Sequence, residues 1–149
     1  MNPIFSFLKA NLYLLTGRLH FPRHRIGETI KLEGEEWIIF RQAILDSRAN
    51  PPNKPGAIFR PRFHVAGMSL QQNIRFSILP IPFIVGLPGF RSKLWLYNTS
   101  NGDFQGLYEW DTVRDAENYA HSFAMEFMTR RSVPGSVSAQ IISIKDNLS

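Results

Sequence analysis

From Ala57 onward the apolar residues recur with two periods, one strand-like and one helical, and each change of period marks an element. Ala57 to Gly67 alternates, with Phe59, Phe63 and Val65 on one side and Ile58, Arg60, Arg62, His64 and Ala66 on the other, which predicts a strand. Pro61 within it predicts an edge position or a bulge, because proline cannot donate to a ladder. Ser69 then caps a helix through Leu70, Ile74 and Ile78, which Pro80 and Pro82 end or kink. Leu87 to Asp111 holds two aromatic-rich runs around Asn98-Thr99-Ser100-Asn101-Gly102-Asp103, a β-hairpin pattern. Pairing its arms about that loop sets Arg91, Lys93, Trp95 and Tyr97 beside Phe104, Gly106, Tyr108 and Trp110. Ser92, Leu94 and Leu96 then share the opposite face with Gln105, Leu107 and Glu109. Thr112 caps one helix whose apolar stripe is Ala116, Tyr119, Ala120, Phe123, Ala124, Phe127 and Met128, with Met125 on its other side. Pro134-Gly135 stops it, and Val137 to Ile144 alternates as a last strand before a polar tail.

The N-terminal third follows a different pattern. Asn2 to Thr16 reads as a helix with Pro3 early and Gly17 as its stop, apolar around most of its circumference and followed by Arg18, His20, Arg23, His24 and Arg25. Two readings suit it: a helix packed on its own domain or a dimer mate, or an interfacial helix whose basic collar meets anionic lipid, a peripheral membrane contact through residues 2–25. Glu28 to Ala43 reads as a smaller hairpin turning at Glu33-Gly34. Asp46 to Gly56, rich in Pro and Asn, reads as a linker, so residues 1–56 form an extension and 57–149 the main domain.

Composition narrows the function classes. The chain has 149 residues and a net charge of +5, but the basic residues are scattered and carry no nucleic-acid motif, so no nucleic-acid partner is expected. With no cysteine there is no thiolate nucleophile and no cysteine metal site. The longest apolar runs are broken by Lys9 or by Pro80, Pro82 and Pro88, short of the roughly 20 residues that span a bilayer. The start lacks early positive charge and a small-x-small site, so no secretory signal is expected and the location expected is cytoplasmic, with membrane association only under the second reading of the N-terminal helix.

The order strand, helix, strand, strand, helix, strand is the split βαβ arrangement of an α+β, ferredoxin-like sandwich with both helices on one face. The other face then needs a cover, and a homodimer is the simplest. The run Pro88 to Trp95, Gly102, Gly106 to Asp111 and Ala116 to Tyr119 also resembles the small monooxygenases of the dimeric α+β barrel superfamily, the YdhR-like branch, over roughly the last two-thirds of the chain. That resemblance implies a homodimer with a pocket between each sheet and its helices. Members include oxygenases that need no metal or flavin and act on aromatic polyketides, heme-degrading enzymes, and proteins without known activity.

A cofactor-independent monooxygenase needs aromatic walls and a polar group that deprotonates its ligand or holds the anion. Trp95, Tyr97, Tyr108 and Trp110 are candidate walls, His64 the candidate base, and Arg62 and Lys93 candidate anion partners for a hydrophobic or aromatic small molecule. The same aromatics would equally suit a dimer interface. No metal or other cofactor is expected. Heme suits the chain less well: the heme-degrading branch carries its ligand histidine late in the second helix, and Met125 to Arg131 contains none, while His121 lies off the apolar stripe. The alternative to an oxygenase is a non-catalytic ligand-binding or peripheral membrane-associated homodimer.

Overall fold

A computed structural model describes residues 2–49, 51 and 53–144. The polar tail, and Asn50 and Pro52 of the expected linker, lie outside the described residues. In chain order the elements are α1 (Pro3–Leu15), β1 (Leu19–His20), β2 (Thr29–Leu32), β3 (Glu35–Leu45) and β4 (Ala57–Phe63). There follow α2 (Leu70–Phe76), α3 (Ile81–Val85), β5 (Phe90–Tyr97), β6 (Phe104–Trp110), α4 (Val113–Ala120), α5 (Phe123–Arg131) and β7 (Ser138–Ser143). The fold is α+β. One antiparallel sheet runs β1-β3-β5-β6-β4-β7, with β2 also on β3, so β4 to β7 reproduce the split βαβ order and β3 extends it past β5.

From Ser92 to Tyr97 the aromatic hairpin has the register the loop predicts, with Lys93 facing Tyr108, Trp95 facing Gly106 and Tyr97 facing Phe104; the register then shifts at Arg91, so Phe90 rather than Arg91 faces Trp110. Strand alternation therefore puts Lys93, Trp95, Tyr108 and Trp110 on one face and Leu94, Leu96 and Leu107 on the other. The first set, with Phe59 and Phe90, packs against Ile84, Val85, Ala116, Tyr119, Ala124 and Met125 of the helices. The second packs against Trp37, Ile39, Ile30 and Leu32.

That second cluster comes from a distortion in β3. Its register with β5 shifts between Ile39 and Arg41, so Trp37 and Ile39 face away from the helices whereas Phe40, Arg41 and Ala43 face toward them. The β2–β3 hairpin, turned at Glu33-Gly34 with φ of 52° and 81°, curls over the open face of the sheet. There Glu35 pairs with Arg62 of β4, whose guanidinium also lies 5.0 Å above Trp37. Leu94 and Leu96, on the face expected to need a second copy, are thus buried under the chain's own hairpin.

Three local expectations change. Pro61 sits in an interior strand between β6 and β7; pairing with β6 stops at Phe59↔Tyr108 and resumes at Arg62↔Gln105, so its missing N–H falls in that gap. The helix expected through Ile78 stops at Phe76, and the chain restarts as α3 with Pro82 in its first turn. The single helix after Thr112 is two, because Ser122 takes an extended backbone (ψ 164°) and accepts a hydrogen bond from Met125 N–H as a new cap. The break rotates the stripe: Phe123 is 52% exposed and Met125 only 6%.

α1 lies on α3 through its smallest residues. Ser6 and Ala10 are buried there, and the Ser6 hydroxyl donates to the carbonyls of Pro82 (3.2 Å) and Phe83 (3.0 Å). The approach is close enough that a Cβ on Gly86 would collide with the Ser6 backbone. Gly86→Val should therefore lift α1 from α3, at a cost of about 1–3 kcal/mol for the overpacking. Trypsin cleavage after Arg18 should accelerate about tenfold while the melt of the remaining domain persists; unchanged protection would show that α1 does not need this contact.

Candidate functional site

Between the helical face of the sheet and α2, α3 and α5 lies a small apolar cavity of about 40 Å³. Its floor includes Lys93, Trp95 and Tyr108, its far wall Tyr119 and Met125, and its roof Phe76, Ser77 and Pro80. Gly106 stands opposite Trp95, and a Cβ there would strike the Tyr108 ring and press on Lys93 Cε, so the bare backbone makes room for both side chains.

Lys93 is the chemical centre of this cavity. It is only 6% exposed, and among the described residues its ammonium has no hydrogen-bond or ion-pair partner. Nζ instead sits 4.3 Å from the centres of both the Trp95 and Tyr108 rings. Two effects oppose each other at this position. Cation–π contact favours the ammonium by roughly 0.5–2 kcal/mol, whereas taking an ammonium out of water costs several kcal/mol. Burial wins, and with the added repulsion of the Arg41 guanidinium it holds the Lys93 pKa well below that of an ordinary lysine.

Arg41 supplies that charge from β3 and also fixes the roof. Its guanidinium lies 5.6 Å from the centre of the Trp95 ring, donates to the Ile74 carbonyl at the end of α2 (3.1 Å) and bonds the Ser77 hydroxyl. Burial lowers its pKa as well. A second clasp holds the roof from α5: Phe76 stacks on Phe127 at 5.9 Å, with the Arg131 guanidinium 3.9 Å from the Phe76 ring centre.

Tyr108 and Tyr119 share a hydrogen bond of 2.7 Å between their hydroxyls. Desolvation raises both pKa values, so both phenols stay protonated near neutrality. One proton is used between the two oxygens, which leaves the other phenolic O–H free to donate to a ligand oxygen. Trp110 lies beneath the pair, its ring 5.0 Å from Tyr119 and 6.2 Å from Tyr108, and is completely buried.

The structure sorts the residues singled out in the sequence. Lys93, Trp95 and Tyr108 line the cavity; Trp110 backs it; Tyr97 lies at its rim, where Phe40 packs between it and Phe104. Arg62 of β4 and His64 just beyond its end do not line the cavity. His64 Nδ1 meets Asp103 at 3.0 Å, and Arg62 bonds both Asp103 and Glu35, a network that ties the N-terminal hairpin to the sheet. Sequence reasoning missed Arg41 and the role of Tyr119. The latter was visible on the helical stripe, but only the sheet brings Tyr108 to it.

No protein-family model and no curated protein matches the chain. Solved structures do. A ferredoxin-fold protein related to antibiotic biosynthesis monooxygenases, from Listeria monocytogenes, superposes with a TM-score of 0.57 at 13% identity, covering 80% of this chain and 70% of that one. A monooxygenase-like protein from Listeria innocua gives 0.56 at 12% identity, over 76% and 66% of the two chains. A heme-degrading enzyme from Listeria monocytogenes gives 0.54 at 12% identity, over 92% and 94%. The likeness is one of fold: this chain has the ferredoxin-like α+β architecture of the antibiotic biosynthesis monooxygenase-like proteins.

Heme does not fit the cavity as it stands. Neither histidine nor cysteine lines it, and His121 is exposed beyond the end of α4, so no axial ligand for the iron faces the cavity.

Proposed function

We propose that the chain binds a small, electron-rich aromatic with an acidic hydroxyl and oxidises it with molecular oxygen, without a metal or organic cofactor. The observation that carries this reading is Lys93: a buried lysine with no hydrogen-bond or ion-pair partner among the described residues, set between two aromatic rings in an apolar cavity. Burial favours the neutral form of this amine, and in that form it takes a proton from a phenol or from the ring carbon of its keto tautomer. The resulting ammonium is then held by Trp95 and Tyr108 beside the substrate anion, and the free hydroxyl of the Tyr108–Tyr119 pair donates to the anionic oxygen. The electron-rich carbanion reduces oxygen, a hydroperoxide forms on carbon, and loss of water leaves a carbonyl. The balance is a CH₂ group and O₂ giving a C=O group and H₂O.

The cavity is small, so admission of a ring requires the roof to part where Arg41 and Arg131 clasp α2. The monooxygenase-related names of the fold neighbours agree with the reaction class.

Oxygen uptake by anaerobically prepared protein mixed with a panel of one- to three-ring phenols tests the reading. Turnover should appear with at least one phenol and fall about a hundredfold or more in Lys93→Met. If His64→Ala abolished uptake while Lys93→Met retained it, the base would lie on the other face of the sheet and this assignment would be wrong. Absence of uptake across the panel, with binding retained, would point instead to a non-catalytic ligand carrier.

A further inference from the structure

α1 is inverted relative to an ordinary surface helix. Its buried side carries Ser6 and Ala10, while Ile4, Phe5, Leu8, Leu12 and Leu15 turn outward, with exposures of 66% for Ile4 and 85% for Leu15. Docking on α3 therefore consumes small residues and leaves the large ones in solvent. The apolar surface continues beyond the helix. Phe7 meets Phe83 at 5.8 Å, and Phe83 meets the exposed Phe123 at 5.8 Å. On its other flank Leu14 and Phe21 share a groove with Ile78, next to the equally exposed Leu79. An area this continuous is costly to leave in water and marks a contact surface.

Charge decides what it contacts. The two segments that build most of the surface, residues 2–27 and 69–89, contain no acidic residue, while Lys9, Arg18, Arg23, Arg25 and Arg75 lie in them. Arg25 is paired with Glu28, but Lys9, Arg23 and Arg75 form no ion pair among the described residues. A second copy of this chain docking two-fold on the same face would bring cation against cation. An anionic lipid surface would accept both the apolar side chains and the charges around them. No helix among the described residues is long and apolar enough to cross a membrane, so the contact is an interfacial one.

We propose that the outer face of α1, with the α2–α3 connection beside it, docks on the surface of an anionic lipid bilayer. This does not depend on what the cavity does. The full chain should sediment with phosphatidylglycerol-containing phosphatidylcholine vesicles at low salt and not with pure phosphatidylcholine, and raising the salt should release it. Leu8→Glu/Leu15→Glu should lower the bound fraction about tenfold or more, and these exposed substitutions should leave the melt unchanged. Lys9→Glu/Arg23→Glu, which keeps the apolar face intact, should weaken vesicle binding in the same direction. Failure to sediment with anionic vesicles would overturn the proposal, as would equal binding to neutral ones. So would a concentration-dependent dimer that Leu8→Glu/Leu15→Glu dissociates, since the face would then belong to self-association.

Discussion

Lys93→Met should melt at a higher temperature than the wild-type chain at pH 7 and should lose the rise in stability that the wild type shows as pH increases. The folded state holds this lysine with a pKa well below its usual value because it is buried and faces Arg41. The unfolded chain restores the ordinary value, about 10.4. Between the depressed pKa and about 10.4 the unfolded state therefore binds more protons than the folded one, and stability rises with pH across that window. For one proton the slope approaches about 1.4 kcal/mol per pH unit. Below the folded pKa both states are protonated and the slope vanishes. Methionine has a similar length and carries no charge, so it removes the cost and the slope together. The raised Tyr108 and Tyr119 act in the opposite direction only above about pH 10, where an unfolded tyrosine ionises. Urea titrations from pH 6 to pH 9.5 check this: the two stability curves should converge as pH rises. Parallel curves would mean that Lys93 reaches solvent, and the proton acceptor proposed for the cavity would be lost with it.

The same variant separates the two faces of the sheet, and this is where sequence reasoning was strongest and then ran out. The register of the aromatic hairpin was legible because its polar loop fixes the pairing and alternation does the rest. The choice of face was not. Alternation already set Arg62 and His64 on the opposite side of β4 from Phe59, but nothing local said that the Phe59 side would meet the helices. The join between β3 and β5 was equally invisible, since pairing between distant strands leaves no mark on either segment alone. The break at Ser122 had a signal, a capping residue, but the apolar stripe ran through it and suggested one helix. The helical stripe marks Tyr119 as interior, yet its hydroxyl finds Tyr108 only after both layers assemble.

Trp110→Ala should be the most destabilising single substitution at the site, lowering stability by about 3–5 kcal/mol. Trp110 is fully buried; its ring contacts Phe90 edge-on at 5.7 Å and stacks with Tyr119 at 5.0 Å, so truncation opens a cavity bordered by rigid rings that cannot collapse into it. A small domain has roughly 5–15 kcal/mol to lose, so the variant should be close to unfolding at growth temperature. Trp110→Phe separates packing from polarity. The Trp110 indole N–H is buried without a hydrogen-bond partner among the described residues, a deficit that phenylalanine removes. Part of the volume loss is thereby offset, and the cost should fall to about 1–2 kcal/mol. Urea midpoints of the two variants measure both values. Phenylalanine costing as much as alanine would mean that the indole nitrogen does find a partner. The cavity should respond differently from the fold: in Trp110→Phe the Tyr108–Tyr119 pair loses its stacked support, so binding of a phenol should weaken more than the small change in stability accounts for.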